Sequence, residues 1–126
     1  MRPRSLAEVA ELALKGESFD RCLAEFLDEF RASPTAEALS APPAFLAPSL
    51  GEQGRVQDGY LAATAEELAR FCSLSCPAWT DDAKRSLHRP WFASPLASLR
   101  AVLLLESPPA FRARNLFVSA NALTRV

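Results

Sequence analysis

One stripe of side chains narrows the folding choices of this chain more than any other feature. Phe19, Cys22, Leu23, Phe26, Leu27 and Phe30 recur at the spacing that places them on a single face of an α-helix. Asp20, Arg21, Glu25, Asp28, Glu29 and Arg31 occupy the opposite face, and Ser18 stands where a hydroxyl caps the first turn. Three phenylalanines on one stripe must be covered, so this segment predicts the central core helix.

The flanking chain is punctuated in the same helical grammar. Ser5-Leu6-Ala7-Glu8 forms a capping box, in which serine hydroxyl and glutamate carboxylate satisfy orphan N–H groups reciprocally. Leu6, Val9, Ala10 and Ala13 follow at helical spacing, and Gly16 supplies a left-handed stop. Ser33-Pro34 predicts a short helix through about Leu39. Pro42, Pro43, Pro48, Gly51 and Gly54 make 41–54 read as irregular, pinned by Phe45, Leu46 and Leu50. A third substantial helix is expected to turn Val56, Tyr60, Leu61, Thr64, Ala65, Leu68, Phe71 and Cys72 inward. Thr80 reads as the cap of a short helix with Asp81 and Asp82 in its first turn. Ser94-Pro95 opens a helix carrying Leu96, Leu99, Val102 and Leu103, and Ser107-Pro108-Pro109 opens another through Phe111 and Arg114. Leu116-Phe117-Val118 reads as a brief strand or a helix start, and no hairpin signal accompanies it. The expectation is an all-α, compact irregular domain of about five to seven unequal helices, a single domain over 1–126.

Length and composition agree with that class. A chain of 126 residues buries enough surface for one core without staples. No apolar run reaches the ~20 residues of a membrane span, and Glu8 and Glu11 interrupt what Arg2 and Arg4 would need as a signal peptide, so a cytoplasmic location is expected. The scarcity of lysine beside arginine, with abundant alanine, points to a GC-rich bacterial source. Charge is unevenly spread. Residues 1–83 hold seven basic and fourteen acidic side chains, whereas 84–126 hold seven basic ones against Glu106 alone. Mutual neutralisation on folding is the favoured reading, and an exposed surface for an anionic partner is the other.

Catalytic and metal constellations are not apparent. Cys72 and Cys76 with His88 and distant Cys22 lack the second close ligand pair of a structural zinc site, and Cys22 and Cys72 sit in apolar stripes as small hydrophobes. A Cys76–His88 pair has no third orienting group, and no serine has nucleophile-elbow glycines. The four glycines are scattered at 16, 51, 54 and 59, which excludes a phosphate-cradling loop. Asp28-Glu29, Glu66-Glu67 and Asp81-Asp82 read as solvated surface or capping acids. An enzyme, a metal and a cofactor are therefore not expected. The acidic polar face of the phenylalanine helix has the wrong sign for anionic lipid.

Arg112, Arg114 and Arg125, near Asn115 and Asn121 and interleaved with Phe111 and Phe117, are the residues that could meet nucleic acid, although no dense basic run or helix-turn-helix accompanies them. Two stretches carry a resemblance. Pro77-Ala78-Trp79-Thr80, leading through Leu87 to Pro90-Trp91-Phe92, is one. The other is the run from Leu99 to Val118, LRAVLLLESPPAFRARNLFV, followed by Asn121-Ala122-Leu123. Together they resemble a small bacterial family of uncharacterised helical proteins, members of which tend to be encoded beside nucleotidyltransferase-like proteins of the abortive-infection toxin type. The resemblance covers the C-terminal third to half of the chain, with Phe26-Leu27-Asp28-Glu29-Phe30 consistent with it. It implies a partner and supplies no catalytic residue.

On the residues alone, Pro-Trp-Phe reads as a hydrophobic plug, Glu106 as a partner for Arg112 or Arg114 inside a tight corner, and Asn115 and Asn121 as cap or turn residues. The function expected is a non-enzymatic interaction module, antitoxin-like toward a nucleotidyltransferase-type effector. Arg112, Arg114 and Asn115 would contact the partner, supported by Glu106 and Trp91. The alternatives are a nucleic-acid-binding accessory using the same arginines and a homodimer formed through the phenylalanine helix.

Overall fold

The computed structural model describes residues 2–123. Among these, α1 (Leu6–Leu14), α2 (Phe19–Ala32), α3 (Glu37–Ser40), α4 (Ala47–Phe71), α5 (Arg100–Glu106) and α6 (Pro109–Arg112) alternate with three short 3-10 segments. Two two-residue strands, β1 (Trp91–Phe92) and β2 (Leu116–Phe117), complete the order. The mostly helical class is as expected, and Leu116-Phe117 is the brief strand. It pairs in parallel with β1, Trp91 opposite Leu116 and Phe92 opposite Phe117. A parallel pair joined by a long crossover leaves no hairpin signal in the sequence.

The first two helices follow their local signals closely. Ser5 Oγ accepts from Glu8 N–H at 3.1 Å, while Glu8 Oε2 accepts from Arg4 N–H rather than from Ser5, one residue off the reciprocal box. Gly16, at φ 101°, lets Glu17 N–H reach Leu12 O and Gly16 N–H reach Ala13 O, the paired bonds of a Schellman stop. Ser18 caps α2, and all six residues of its stripe are buried.

Elsewhere tertiary contacts overrule the local reading. The helix α3 begins after Ser33-Pro34 with Ala36 as its N-cap, and Thr35 Oγ1 rather than Ser33 accepts from Ala38 N–H in its first turn. Residues 47–54 are helical rather than irregular, because Pro48 sits in the first turn where no N–H is needed. Gly51 interrupts that helix at φ 66°, ψ −138°, a conformation that glycine tolerates. Leu50 is 42% exposed, whereas Leu46 is fully buried and carries the anchoring expected of both.

Central position also falls to α4 rather than α2. Leu61, Ala62, Ala63, Thr64 and Ala65 are buried in unbroken succession, the mark of a helix enclosed on all sides. Packed on it are α1, α6, β2 and the 3-10 segments 78–81 and 83–85. Of the face predicted for it, Phe71 is instead 80% exposed. Thr80 is buried inside the segment Ala78–Asp81 and caps nothing; Asp82 is the cap, accepting from Lys84 N–H.

Two apolar clusters result. One gathers α1, α2, Leu39, Leu46 and the inner face of α4. The second gathers Ala63, Ala110, Phe111, Leu116 and Val118. Tyr60 touches both, edge-on to Phe19 with centroids 6.3 Å apart and to Phe111 at 4.8 Å.

Candidate functional site

The C-terminal corner is built against α4 by buried charge. Arg114 is 6% exposed. It donates to Ala110 O at 2.8 Å, to Thr80 O at 2.9 Å and to Glu66 Oε1 at 2.9 Å. That guanidinium is consumed inside the fold, so Arg114 cannot be part of an exposed docking surface. Its acid is Glu66, which corrects the expected pairing with Glu106. Glu67, read as solvated, is buried and accepts from Ala110 N–H in the first turn of α6. It also meets the Arg70 guanidinium.

A second buried arginine, Arg85, is 1% exposed. Its guanidinium carbon lies 4.1 Å from the Phe45 ring centroid and 4.9 Å from that of Trp79. One nitrogen donates to Pro43 O, and another is 3.9 Å from Asp58 Oδ1, an ion pair without a hydrogen bond. Asp58 accepts from Leu46 N–H at 2.7 Å and from Ala47 N–H at 3.1 Å, capping α4 from its own interior. Burial pushes the Asp58 carboxyl above its ordinary range against those bonds and Arg85. Burial likewise lowers Arg85 against the pull of Asp58 and Asp82. Desolvation outweighs attraction on both sides, the usual state of a buried pair. The basic third and the acidic remainder thus partly neutralise each other in the core.

The other predicted residues have separate places. Asn115 is left-handed at φ 63°. Its Nδ2 donates to Leu87 O, and its own carbonyl accepts from Trp91 N–H, so it is the expected turn residue and a clamp on β1. Trp91 is half-buried in that strand, where a plug before a capped helix was expected. Arg112 is exposed and donates to Ser107 O. Glu106 is exposed at the end of α5. Ser107 Oγ accepts from Val118 N–H at 2.8 Å and lies within donating distance of Leu103 O and Val118 O, tying α5 to the end of β2. Arg125 lies outside the described residues. Asn121 Oδ1 accepts from the Ser119 hydroxyl.

Much of what remains open on this corner is apolar. Leu103 alone of α5 is buried. Leu99, Val102 and Leu104 are each about two-fifths exposed, Leu96 more so, and Leu105 is 83% exposed. Arg100 flanks this face at the start of α5, stacked over Phe92 at 5.4 Å. Arg112, bonded to the residue after α5, flanks its end. The sequence did show this patch: α5 is apolar at nearly every position, a pattern too broad for a helix that covers one neighbour.

At the seam between the two clusters lies a cleft of about 780 Å³, walled by α2, α4, β1 and the residues that follow β2. Phe19, Tyr60 and Trp91 line it, with Asp20, Glu52 and Gln57. Burial, with Asp20 adding to it, pushes the Tyr60 phenol up to about 12. Gln57 Oε1 is buried and has no hydrogen-bond partner.

The thiols are dispersed: Cys22 is buried, with burial raising its pKa, and Cys76 lies 3.4 Å from Thr80 Oγ1. His88 is exposed beside Arg55. Among the described residues no group of three or more His, Cys, Asp or Glu side chains is placed to hold a metal ion, and no helix is long and apolar enough to cross a membrane. No protein-family model matches the chain, and no curated protein or solved structure matches it.

Proposed function

We propose that this protein is a non-enzymatic interaction module that docks a protein partner through the apolar face of α5. The observation that carries this reading is the exposure of Leu96, Leu99, Val102, Leu104 and Leu105 on one short segment. Contiguous apolar surface on a domain with a filled core is retained where something covers it. Arg100 and Arg112 at its margins favour a groove with an acidic rim. The resemblance of the Leu99–Leu123 region makes a nucleotidyltransferase-like protein the partner to test, with the module covering or distorting its active cleft in the manner of an antitoxin.

The experiment uses both purified proteins, with a Leu99→Asp/Leu105→Asp variant as control. Both positions are exposed, so the variant should melt like the parent while losing at least about tenfold in partner affinity. Equal binding by parent and variant would remove α5 from the interface. A concentration-dependent doubling of mass, lost in the variant, would put a second copy of this chain on the face instead. Burial of the α2 phenylalanines favours α5 over α2 as the face of such a dimer. An oligonucleotide shift abolished by Arg100→Glu/Arg112→Glu would favour nucleic acid. That reading has fewer arginines to draw on once Arg85 and Arg114 are buried.

A further inference from the structure

The cleft at the seam has the volume and lining of a small-molecule site, and nothing in the docking reading uses it. Its charged lining residues, Asp20 and Glu52, are both acidic. Its aromatic residues, Phe19, Tyr60 and Trp91, come from three different elements. Ring faces and carboxylates together attract a cation with an apolar body and repel an anion. Gln57, 9% exposed, also belongs to the lining.

We infer that this cleft binds a small organic ammonium compound, its apolar body against Phe19, Tyr60 and Trp91 and its charge offset by Asp20 and Glu52. None of its lining residues belongs to the α5 face, so either assignment can fail without the other.

The test titrates the full chain with phenethylammonium, with phenylacetate and 2-phenylethanol as anionic and neutral counterparts. Chemical shifts of the Gln57 side-chain amide and the Trp91 indole are followed. Saturable shifts at both groups are expected with phenethylammonium below about 10 mM, with phenylacetate at least about tenfold weaker. Asp20→Asn/Glu52→Gln should lower the ammonium affinity about tenfold and leave the weak alcohol binding unchanged. Equal affinity for phenylacetate would overturn the assignment, as would absence of saturable shifts at Gln57 and Trp91.

Discussion

The α1–α2 region and the C-terminal corner are held together by different physics. In the first, apolar stripes meet and local caps close the helix ends. Ser5, Ser18 and Gly16 each act within four residues of themselves. In the second, the ties span long stretches of chain: Glu67 to Ala110 across 43 residues, Arg114 to Glu66 across 48, Arg85 to Pro43 across 42. A region built on burial tolerates changes of charge and fails on loss of volume. One built on buried charge fails when a single partner is removed.

The largest effects should separate the two regions. Phe26→Ala in α2 leaves a cavity and should cost about 3–5 kcal/mol by denaturant unfolding. Asp58→Ala leaves Arg85 unpaired among apolar groups and should cost about 3–5 kcal/mol as well. The difference lies in rescue. Asp58→Leu combined with Arg85→Met should recover most of the loss, since desolvation outweighs attraction in this pair. No such second change rescues Phe26→Ala. A double variant as unstable as Asp58→Ala would mean that the capping of Leu46 and Ala47, rather than the buried charge, dominates this site.

A middle-sized effect is expected where the regions touch. A Cβ at Gly59 would meet Arg85 O at 2.9 Å, so Gly59→Ala should destabilise by about 1–3 kcal/mol through overpacking. An unchanged melting temperature would show that the 83–85 segment gives way more easily than its burial implies. Smaller still, Ser5→Ala should cost about 1 kcal/mol, the ordinary loss of one exposed cap.

The last prediction concerns ionisation at the seam. Tyr60 is the only tyrosine, so tyrosinate absorbance reports it alone. In the folded chain it should titrate near 12 rather than at the ordinary value of 10. A raised acid is favoured in its neutral form by the fold. Its contribution to stability is therefore complete below pH 10 and is lost as the pH rises from 10 toward 12. Titration at the ordinary value would open the seam between the clusters to water.

Elements set by local information were legible in the residues alone. The α2 stripe, its serine cap, the glycine stop of α1 and the proline-opened α6 could all be read from spacing, because helix faces and caps are set within one or two turns. The left-handed turn at Asn115 was legible for the same reason. Long-range packing alone settled which helix is central, since a helix of small residues such as α4 shows no strong face until neighbours enclose it. It also decided the roles of the charged residues. Asp58, Glu67, Arg85 and Arg114 look like surface groups in a sequence, and what makes them core is a partner some 25 to 50 residues away. The parallel pairing of β1 with β2 and the cleft at the seam belong to the same class, because each is a property of segments that meet only after folding.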